Sequence, residues 1–350
     1  MRRKHVALSI GLMVSAVALP AVAVEGRIPV FAPGPIVASG KYIVTRNLPA
    51  GVNPIITIAA AKVDLDLNGF EIGSGGAGFP AISISAPASD VAIRNGTLTG
   101  SIEMAAGVSA STVVIEDVRI QEFVGGWSIQ LLNVGKAAIR RVAVESGFGR
   151  GILVDGWGAS YKGVSIIEGC SLQTHVDSAI KVMDGQYAVR DNVISTDNTH
   201  GIVLENAAGS IVAGNIVRAG ATGIFLNGGS GHKVFNNVVN QCFFHGIHVL
   251  SDGNMILDNL VTGCGFNSGE HGIFVQGNRN HIGRNTLNNN FGYGLAFAAG
   301  STANIYGGNM ARGNTGPVVA CGPLFPPNSC DLGAGNTTYG DNLIPGPPVF

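Results

Sequence analysis

The sequence contains few charged residues. Asp, Glu, Lys and Arg make up 12% of its 350 residues, whereas an average soluble domain has about 25%. The 21 basic side chains are balanced by 22 acidic ones, so the chain has no basic surplus with which to hold a polyanion. We therefore expect no nucleic acid among its partners. The same balance favours a neutral or weakly charged ligand.

Several sequence patterns are also absent. Long apolar segments with a 3.6-residue period do not occur, and the Leu-x-x-Leu-x-Leu framework of leucine-rich repeats is missing. These absences argue against a helical solenoid and a leucine-rich repeat. The five cysteines show no spacing typical of a zinc site, so we expect no structural zinc.

What the sequence does contain is a repeat of about 22 residues between Tyr187 and Asn309. Its first landmark is a Gly followed by an apolar residue, at Gly201-Ile202, Gly223-Ile224, Gly246-Ile247, Gly272-Ile273 and Gly294-Leu295. Its second landmark is an asparagine, at Asn192, Asn215, Asn237, Asn259 and Asn285, with Asn68 and Asn95 upstream. A repeat of this length predicts a stack of supersecondary units. We expect the asparagines to be scaffold residues whose amides stack ~4.8 Å apart.

Apolar residues between the landmarks alternate in runs of three to five, separated by Gly, Asn, Asp and Ser. Such runs are typical of short strands with tight turns. The sequence therefore predicts an all-β, single-stranded right-handed parallel β-helix, a solenoid of about ten to eleven coils with terminal caps. We assign residues 24–51 to the N-terminal cap and first strand, 52–315 to the β-helix, and 316–350 to an irregular C-terminal cap.

Residues 63–72 (VDLDLNGFEI) and 91–98 (VAIRNGTL) resemble the opening coils of secreted bacterial right-handed parallel β-helix repeat proteins, which share the pectin lyase-like fold. The resemblance covers roughly residues 40–315. It implies the fold and leaves the chemistry open, because this superfamily includes lyases, hydrolases, epimerases and adhesins.

The first 23 residues are predicted to be a signal peptide. Arg2, Arg3 and Lys4 precede an apolar stretch, which ends before the small residues 21–23 (AVA). That stretch is shorter than the ~20 residues of a membrane span. We expect an exported, periplasmic or extracellular protein without a membrane span, and a monomer.

Cysteine pairing follows from export, because exported proteins form disulfides. Cys321 and Cys330 bracket a short loop beyond the last clear coil, and we predict a disulfide between them that fixes the C-terminal cap. Cys242 and Cys264 lie five residues after successive landmark asparagines. They fit a disulfide and buried thiols equally well. We expect Cys170 to lie in the core.

The strand at the Gly-Ile landmark is the predicted site. If the residue after Gly points inward, the next one points outward, which gives the column Gln130, Leu153, Lys181, Val203, Phe225, His248, Phe274 and Ala296. A one-residue slip would instead bury Phe225 and Phe274. We predict His248, His245, Lys181 and Glu205 as catalytic candidates, and Phe225, Phe274, His200, His271, Glu270 and Asp155 as substrate-binding candidates.

The ligand predicted for this surface is a polysaccharide or cell-surface glycan, because the phenyl rings can stack on sugars and the histidines can exchange protons. Catalysis stays open among polysaccharide lyase, glycoside hydrolase and epimerase. A non-catalytic structural or adhesin-like solenoid is the alternative. The Asp-Pro-His-Asp and Arg-Ile-Lys elements of known enzymes of this fold are missing. We predict no cofactor, and no ligand cluster supports calcium.

Overall fold

The computed structural model describes residues 26–73, 78–87, 89–121, 124–145, 148–156, 163–267, 270–314, 319–321 and 337–338. These residues form parallel strands joined by turns and loops, with no helix among them. The predicted all-β parallel β-helix is confirmed, with about 11 turns. The described part of the chain holds no helix long and apolar enough to cross a membrane.

Most turns contribute one strand to each of three faces, and the strands inside the stack pair with their equivalents one turn before and after. Face 1 consists of the strands Gly34–Ile36, Ile56–Ile58, Pro80–Ile84, Ser101–Met104, Val124–Leu131, Phe148–Asp155, Ser178–Met183, His200–Glu205, Ile224–Asn227, Ile247–Val249, Ile273–Val275, Leu295–Phe297 and Val319–Cys321.

Face 2 consists of the strands Ile28–Val30, Gly40–Val44, Lys62–Asp66, Ser89–Leu98, Ala110–Gln121, Val134–Arg140, Ser165–Glu168, Tyr187–Arg190, Ile211–Ala213, Lys233–Phe235, Met255–Leu257, His281–Gly283, Ile305–Gly307 and Thr337–Thr338. The strands Ser89–Leu98 and Ala110–Gln121 bend and continue into face 3. The other strands of face 3 are Glu71–Ile72, Ala143–Glu145, Ser171–Thr174, Val193–Thr196, Ile216–Arg218, Val238–Asn240, Leu260–Thr262, Thr286–Asn288 and Met310–Arg312.

The core is a column of aliphatic side chains that runs along the solenoid axis. The apolar residues of the Gly-Ile landmark, from Ile202 to Leu295, are completely buried. Equivalent apolar residues of faces 2 and 3, such as Val212 and Val217, are buried as well. Because each strand points alternate residues inward, three short strands per turn fill the interior.

The corner between faces 2 and 3 carries a ladder of buried asparagines. Their side-chain Oδ1 atoms accept the backbone N–H of the preceding ladder residue at 3.0–3.1 Å. The ladder consists of Asn192, Asn215, Asn237, Asn259, Asn285 and Asn309. This confirms the scaffold role predicted for the asparagine landmark from Asn192 onward.

The residue before each ladder asparagine has a positive φ, between 54° and 67°. These residues are Asp191, Gly214, Asn236, Asp258, Arg284 and Gly308. The left-handed conformation turns the chain between faces and aims the next amide along the stack. Asn68 and Asn95 differ from the ladder, because they themselves have positive φ and are exposed.

Three cysteines of the described residues, Cys170, Cys242 and Cys264, are buried free thiols. Of the two alternatives for Cys242 and Cys264, the structure shows the thiols. Burial, with Cys264 close by, raises the pKa of Cys242 well above its usual value. Cys330, the predicted leader and most of the predicted C-terminal cap lie outside the described residues, so the Cys321–Cys330 disulfide and the domain boundaries stay predictions.

Candidate functional site

The strand register of face 1 is the one assumed for the predicted site. Ile224 and Ile273 are fully buried, while Phe225 and Phe274 point outward and are half-buried. Successive members of the outward column, from Gln130 through Lys181 and Phe225 to Ala296, are direct partners on neighbouring strands. The one-residue slip is therefore excluded.

Not every residue of the outward column is accessible. Leu153, Val203 and Ala296 are 7%, 5% and 2% exposed. Val203 is covered because it lies between the longer side chains of Lys181 and Phe225 on adjacent turns. The accessible part of the column is therefore a few polar and aromatic side chains.

Seven aromatic or imidazole rings cluster over the C-terminal half of face 1, and we refer to them as the ring cluster. It consists of His200, Phe225, His245, His248, His271, Phe274 and Tyr293. Phe225 stacks on His248 with a centroid separation of 4.9 Å, and His245 stacks on Phe274 at 4.7 Å. The structure thus brings together six of the candidates, His200 included, from four successive turns.

Three histidines of the ring cluster each accept a backbone N–H from the next turn in the same way. The Nδ1 atom of His245 accepts the backbone N–H of His271 at 3.0 Å, and Nδ1 of His271 accepts that of Tyr293 at 3.2 Å. His200 accepts the N–H of Thr222 in the same way at 3.3 Å. An accepting Nδ1 places the single ring proton of a neutral imidazole on Nε2.

The protonated form of these histidines is disfavoured. Burial, followed by the charges of His248 and His271, lowers the pKa of His245 to about 3. Burial lowers the pKa of His271 to about 4 and also lowers that of His200. All three side chains are therefore neutral near pH 7, each with its proton on Nε2.

Glu270 lies beside His245. The His245 Nε2 atom is 2.5 Å from Oε2 of Glu270, so the neutral ring donates its N–H to the carboxylate. Burial raises the pKa of Glu270. Both nitrogens of His245 are engaged, so this residue has no lone pair with which to accept a proton. Its chemical role is to hold Glu270 in place.

His248 has a different arrangement. Its Nε2 atom lies 2.7 Å from Oε1 of Gln276, which leaves Nδ1 as the nitrogen able to accept a proton. Burial lowers the pKa of His248, which keeps this nitrogen unprotonated near pH 7. Of the catalytic candidates in the ring cluster, His248 is the one that can act as a base.

The other candidates form a second group at the carboxyl ends of earlier face 1 strands. Lys181 Nζ pairs with Glu205 Oε2 at 2.7 Å. Asp155 and Glu205 occupy one column, separated by Met183 on the intervening turn. Lys181 and Glu205 are thus ion-pair partners, and their catalytic roles stay predictions.

Asp184 completes this second group and was missed by the sequence reasoning. It directly follows the strand that ends at Met183, and its pKa is raised by burial and by the charges of Asp155 and Glu205. We refer to Asp155, Asp184 and Glu205 as the carboxylate cluster. The available signal was position, because Asp184 lies one residue beyond the column that contains Asp155 and Glu205.

Among the described residues, no three His, Cys, Asp or Glu side chains are placed to hold a metal ion. The ring cluster supplies nitrogen atoms, but backbone N–H groups already occupy Nδ1 of three of its histidines. The absence of a cofactor stays a prediction.

Comparisons with known proteins identify the fold family. No curated protein sequence matches the chain. A mutant of the periplasmic alginate epimerase AlgG has a similar structure, with 16% sequence identity, a TM-score of 0.59, and coverage of 88% of this chain and 77% of that one. The Azotobacter vinelandii mannuronan C-5 epimerase AlgE6 A-module has 15% identity and a TM-score of 0.53, with coverage of 90% and 92%.

At such identities these likenesses show the fold alone. The model of the right handed beta helix region matches residues 102–261 and 157–315, which together span more than half of the sequence. The chain therefore belongs to the right-handed β-helix family.

Proposed function

We propose that this protein binds a polysaccharide along the outer surface of face 1. The observation that carries the proposal is the row of Phe225, His248 and Phe274, which point outward from three successive turns and stack on one another. Flat rings repeated every ~4.8 Å offer an extended polymer equivalent contacts along its length. A compact ligand could not make equivalent contacts with all three rings.

The similar structures support a carbohydrate ligand. Their names describe epimerases of alginate and mannuronan, so this architecture holds polysaccharides in other proteins. The predicted leader and the periplasmic location named for AlgG support a periplasmic or extracellular site of action. The contacts proposed here come from this chain's own residues.

The test is glycan binding by Phe225→Ala and Phe274→Ala variants, measured by affinity electrophoresis and calorimetry against neutral and acidic polysaccharides. We expect the wild-type protein to bind at least one polymer and each variant to lose about tenfold in affinity, as is common for a buried aromatic anchor. Phe235→Ala is the matched control, because Phe235 is a half-buried phenylalanine on face 2. Equal binding by the wild-type protein and the three variants, or no binding by any of them, would contradict the proposal.

Hydrolysis is a second candidate function, favoured by the carboxylate cluster. A glycosidase needs one carboxyl group that stays protonated and a second that stays ionised. Asp184 has the raised pKa expected of the acid, and two neighbouring carboxylates cause part of that rise. The ionised partner would be Asp155 or Glu205, whose strands lie one turn on either side of the strand that Asp184 follows.

An Asp184→Asn variant tests hydrolysis. We expect reducing ends to be released by the wild-type protein and to fall at least about a hundredfold in the variant, since general acid catalysis contributes roughly 10²–10⁴. Asp191→Asn is the control, because both aspartates have positive φ and Asp191 lies at the opposite corner. Binding without product release would favour the alternative of a non-catalytic, adhesin-like solenoid.

A further inference from the structure

We propose that face 1 selects an uncharged polysaccharide, and that Glu205 enforces this selection by holding Lys181 in an ion pair. The inference rests on the proposed binding function and adds the chemical class of the ligand. It distinguishes this chain from its structural neighbours, whose names refer to polymers of uronic acids.

Each of the two cations of face 1 lies beside a protein carboxylate. Its described strands contain two basic residues, Arg150 and Lys181. Lys181 pairs with Glu205 at 2.7 Å, and the Arg150 Nε atom lies 3.5 Å from Asp177. The Arg150 guanidinium also lies 5.7 Å from the ring centroid of Trp127. A uronate carboxylate would have to compete with Glu205 for Lys181, the more closely paired of the two cations.

The histidines do not supply positive charge either. His200, His245 and His271 each accept a backbone N–H at Nδ1, and a second proton on the ring would break that hydrogen bond. Burial also lowers the pKa of His248, so the ring cluster is an uncharged surface of packed aromatic and imidazole rings. Such a surface suits the C–H faces and hydroxyl groups of a neutral sugar.

Carboxylates outnumber the two cations. The described strands of face 1 contain Glu103, Asp155 and Glu205, and Asp177, Asp184 and Glu270 adjoin them. Three of these carboxyl groups, Asp155, Asp184 and Glu205, lie at the ends of adjacent face 1 strands, with Lys181 as the one cation next to them on those described strands. A polyuronate would bring one further negative charge per sugar close to these groups, and like charges brought together across an interface are unfavourable.

The experiment compares ligands that share a backbone and differ at C6, where one member is neutral and the other carries a carboxylate. β-1,4-Mannan oligosaccharides and β-1,4-mannuronan oligosaccharides share a backbone, and fully methyl-esterified and de-esterified homogalacturonan form a second pair. At low ionic strength we expect the wild-type protein to bind the neutral member of at least one pair about tenfold more tightly than the charged member. Added salt should narrow that difference, because it screens repulsion and leaves neutral contacts unchanged.

The Glu205→Gln variant tests whether Glu205 enforces the selection of an uncharged polysaccharide. Freeing Lys181 should raise the ratio of affinity for the charged member to affinity for the neutral member about tenfold. Glu168→Gln is the control, because Glu168 is likewise paired, to Arg190 at 3.0 Å, but lies on face 2. Circular dichroism and thermal unfolding establish that each variant is folded, and the salt series on the wild-type protein tests the inference independently.

The outcomes separate the two proposals. If neither member of any pair binds the wild-type protein, the proposed binding function fails and the inference with it. Wild-type binding that favours the charged member overturns the inference alone. An unchanged ratio of charged to neutral affinity in folded Glu205→Gln removes Glu205 as the enforcing residue.

Discussion

Asn237 shows how much a single residue contributes to this molecule. Its Oδ1 accepts the backbone N–H and the side-chain Nδ2–H of Asn215, at 3.0 and 2.9 Å. Its own Nδ2 donates to the carbonyl of Val212 at 2.9 Å and to Oδ1 of Asn259 at 2.9 Å. Asparagine has the shortest side chain that carries a separate carbonyl acceptor and a separate N–H₂ donor.

We expect Asn237→Ala to lower the free energy of unfolding by about 2–4 kcal/mol, because it leaves several buried polar groups without partners. Urea unfolding followed by circular dichroism measures the loss. The control is Asn240→Ala, an outward position on face 3, where a change within about 0.5 kcal/mol is expected. Similar losses in the two variants would show that the ladder adds no stability.

The buried histidines predict that stability depends on pH. His271 has a pKa of about 4 in the folded protein, against 6.5 for an unperturbed histidine. Between these values the unfolded chain binds the proton and the folded chain does not, so stability rises with pH over this interval and falls on acidification. We expect a loss of about 1–2 kcal/mol between pH 6.5 and about pH 5.

His271→Gln should flatten that dependence, whereas His281→Gln, on face 2, should leave it as in the wild-type protein. Unfolding midpoints collected at a series of pH values provide the measurement. A slope that is the same in all three proteins would argue against a buried neutral His271. Nitrogen chemical shifts of the imidazoles would independently report the proton on Nε2.

At the residue scale, alternation predicted which rings face outward only with the added assumption that the residue after Gly points inward, which the structure confirms. Phe225 follows an inward Ile224, and the register carries that assignment to His248 and Phe274. The contact between His245 and Glu270 could not be predicted, because it depends on the path of the turn before Gly272, which the repeat does not determine. Asp184 was missed for the same reason, since it lies in a turn.

At the scale of the strand, the glycine of the Gly-Ile landmark has a steric explanation. A Cβ atom on Gly246 would lie 2.2 Å from Cγ1 of Val261 and 2.7 Å from the carbonyl oxygen of Gly272. Gly223 is in the same position relative to Val239 and Gly246. The chain passes so close to its neighbours here that no side chain fits.

We expect Gly246→Ala to destabilise the protein by at least about 2 kcal/mol, the upper range for overpacking of a core. The control is Gly51→Ala, because a Cβ at Gly51 meets nothing within 4 Å. Thermal unfolding of the two variants decides the comparison. A Gly246→Ala protein as stable as Gly51→Ala would mean that the strand can move aside.

The periodicity predicted strand positions better than strand lengths. The positions of the face 1 strands follow from the Gly-Ile landmark. The 12-residue strand Ala110–Gln121, which turns from face 2 into face 3, has no counterpart in the repeat. It arises where Val118 occupies the position of the ladder asparagines, next to Asp117, which has a positive φ, as does the equivalent Asp191.

For the whole molecule, equivalence between turns predicts the effect of a deletion. Removing residues 216–237 joins Asn215 to Val238. Val238 is the equivalent of Ile216 on the next turn. The asparagine ladder and all three strand registers then continue across the junction. We expect this variant to keep its β-sheet circular dichroism spectrum and unfold cooperatively, whereas deletion of residues 216–226 should disrupt the fold.

The ladder also limits how such a protein can change over time. Because every turn offers the next one the same set of amides and strand edges, its ligand-facing surface lengthens or shortens in complete steps, each adding or removing one row of contacts. A tandem copy of about 66 nucleotides is the smallest genetic change that extends the surface without altering the interior. The length of polymer that the protein can contact therefore changes by complete turns.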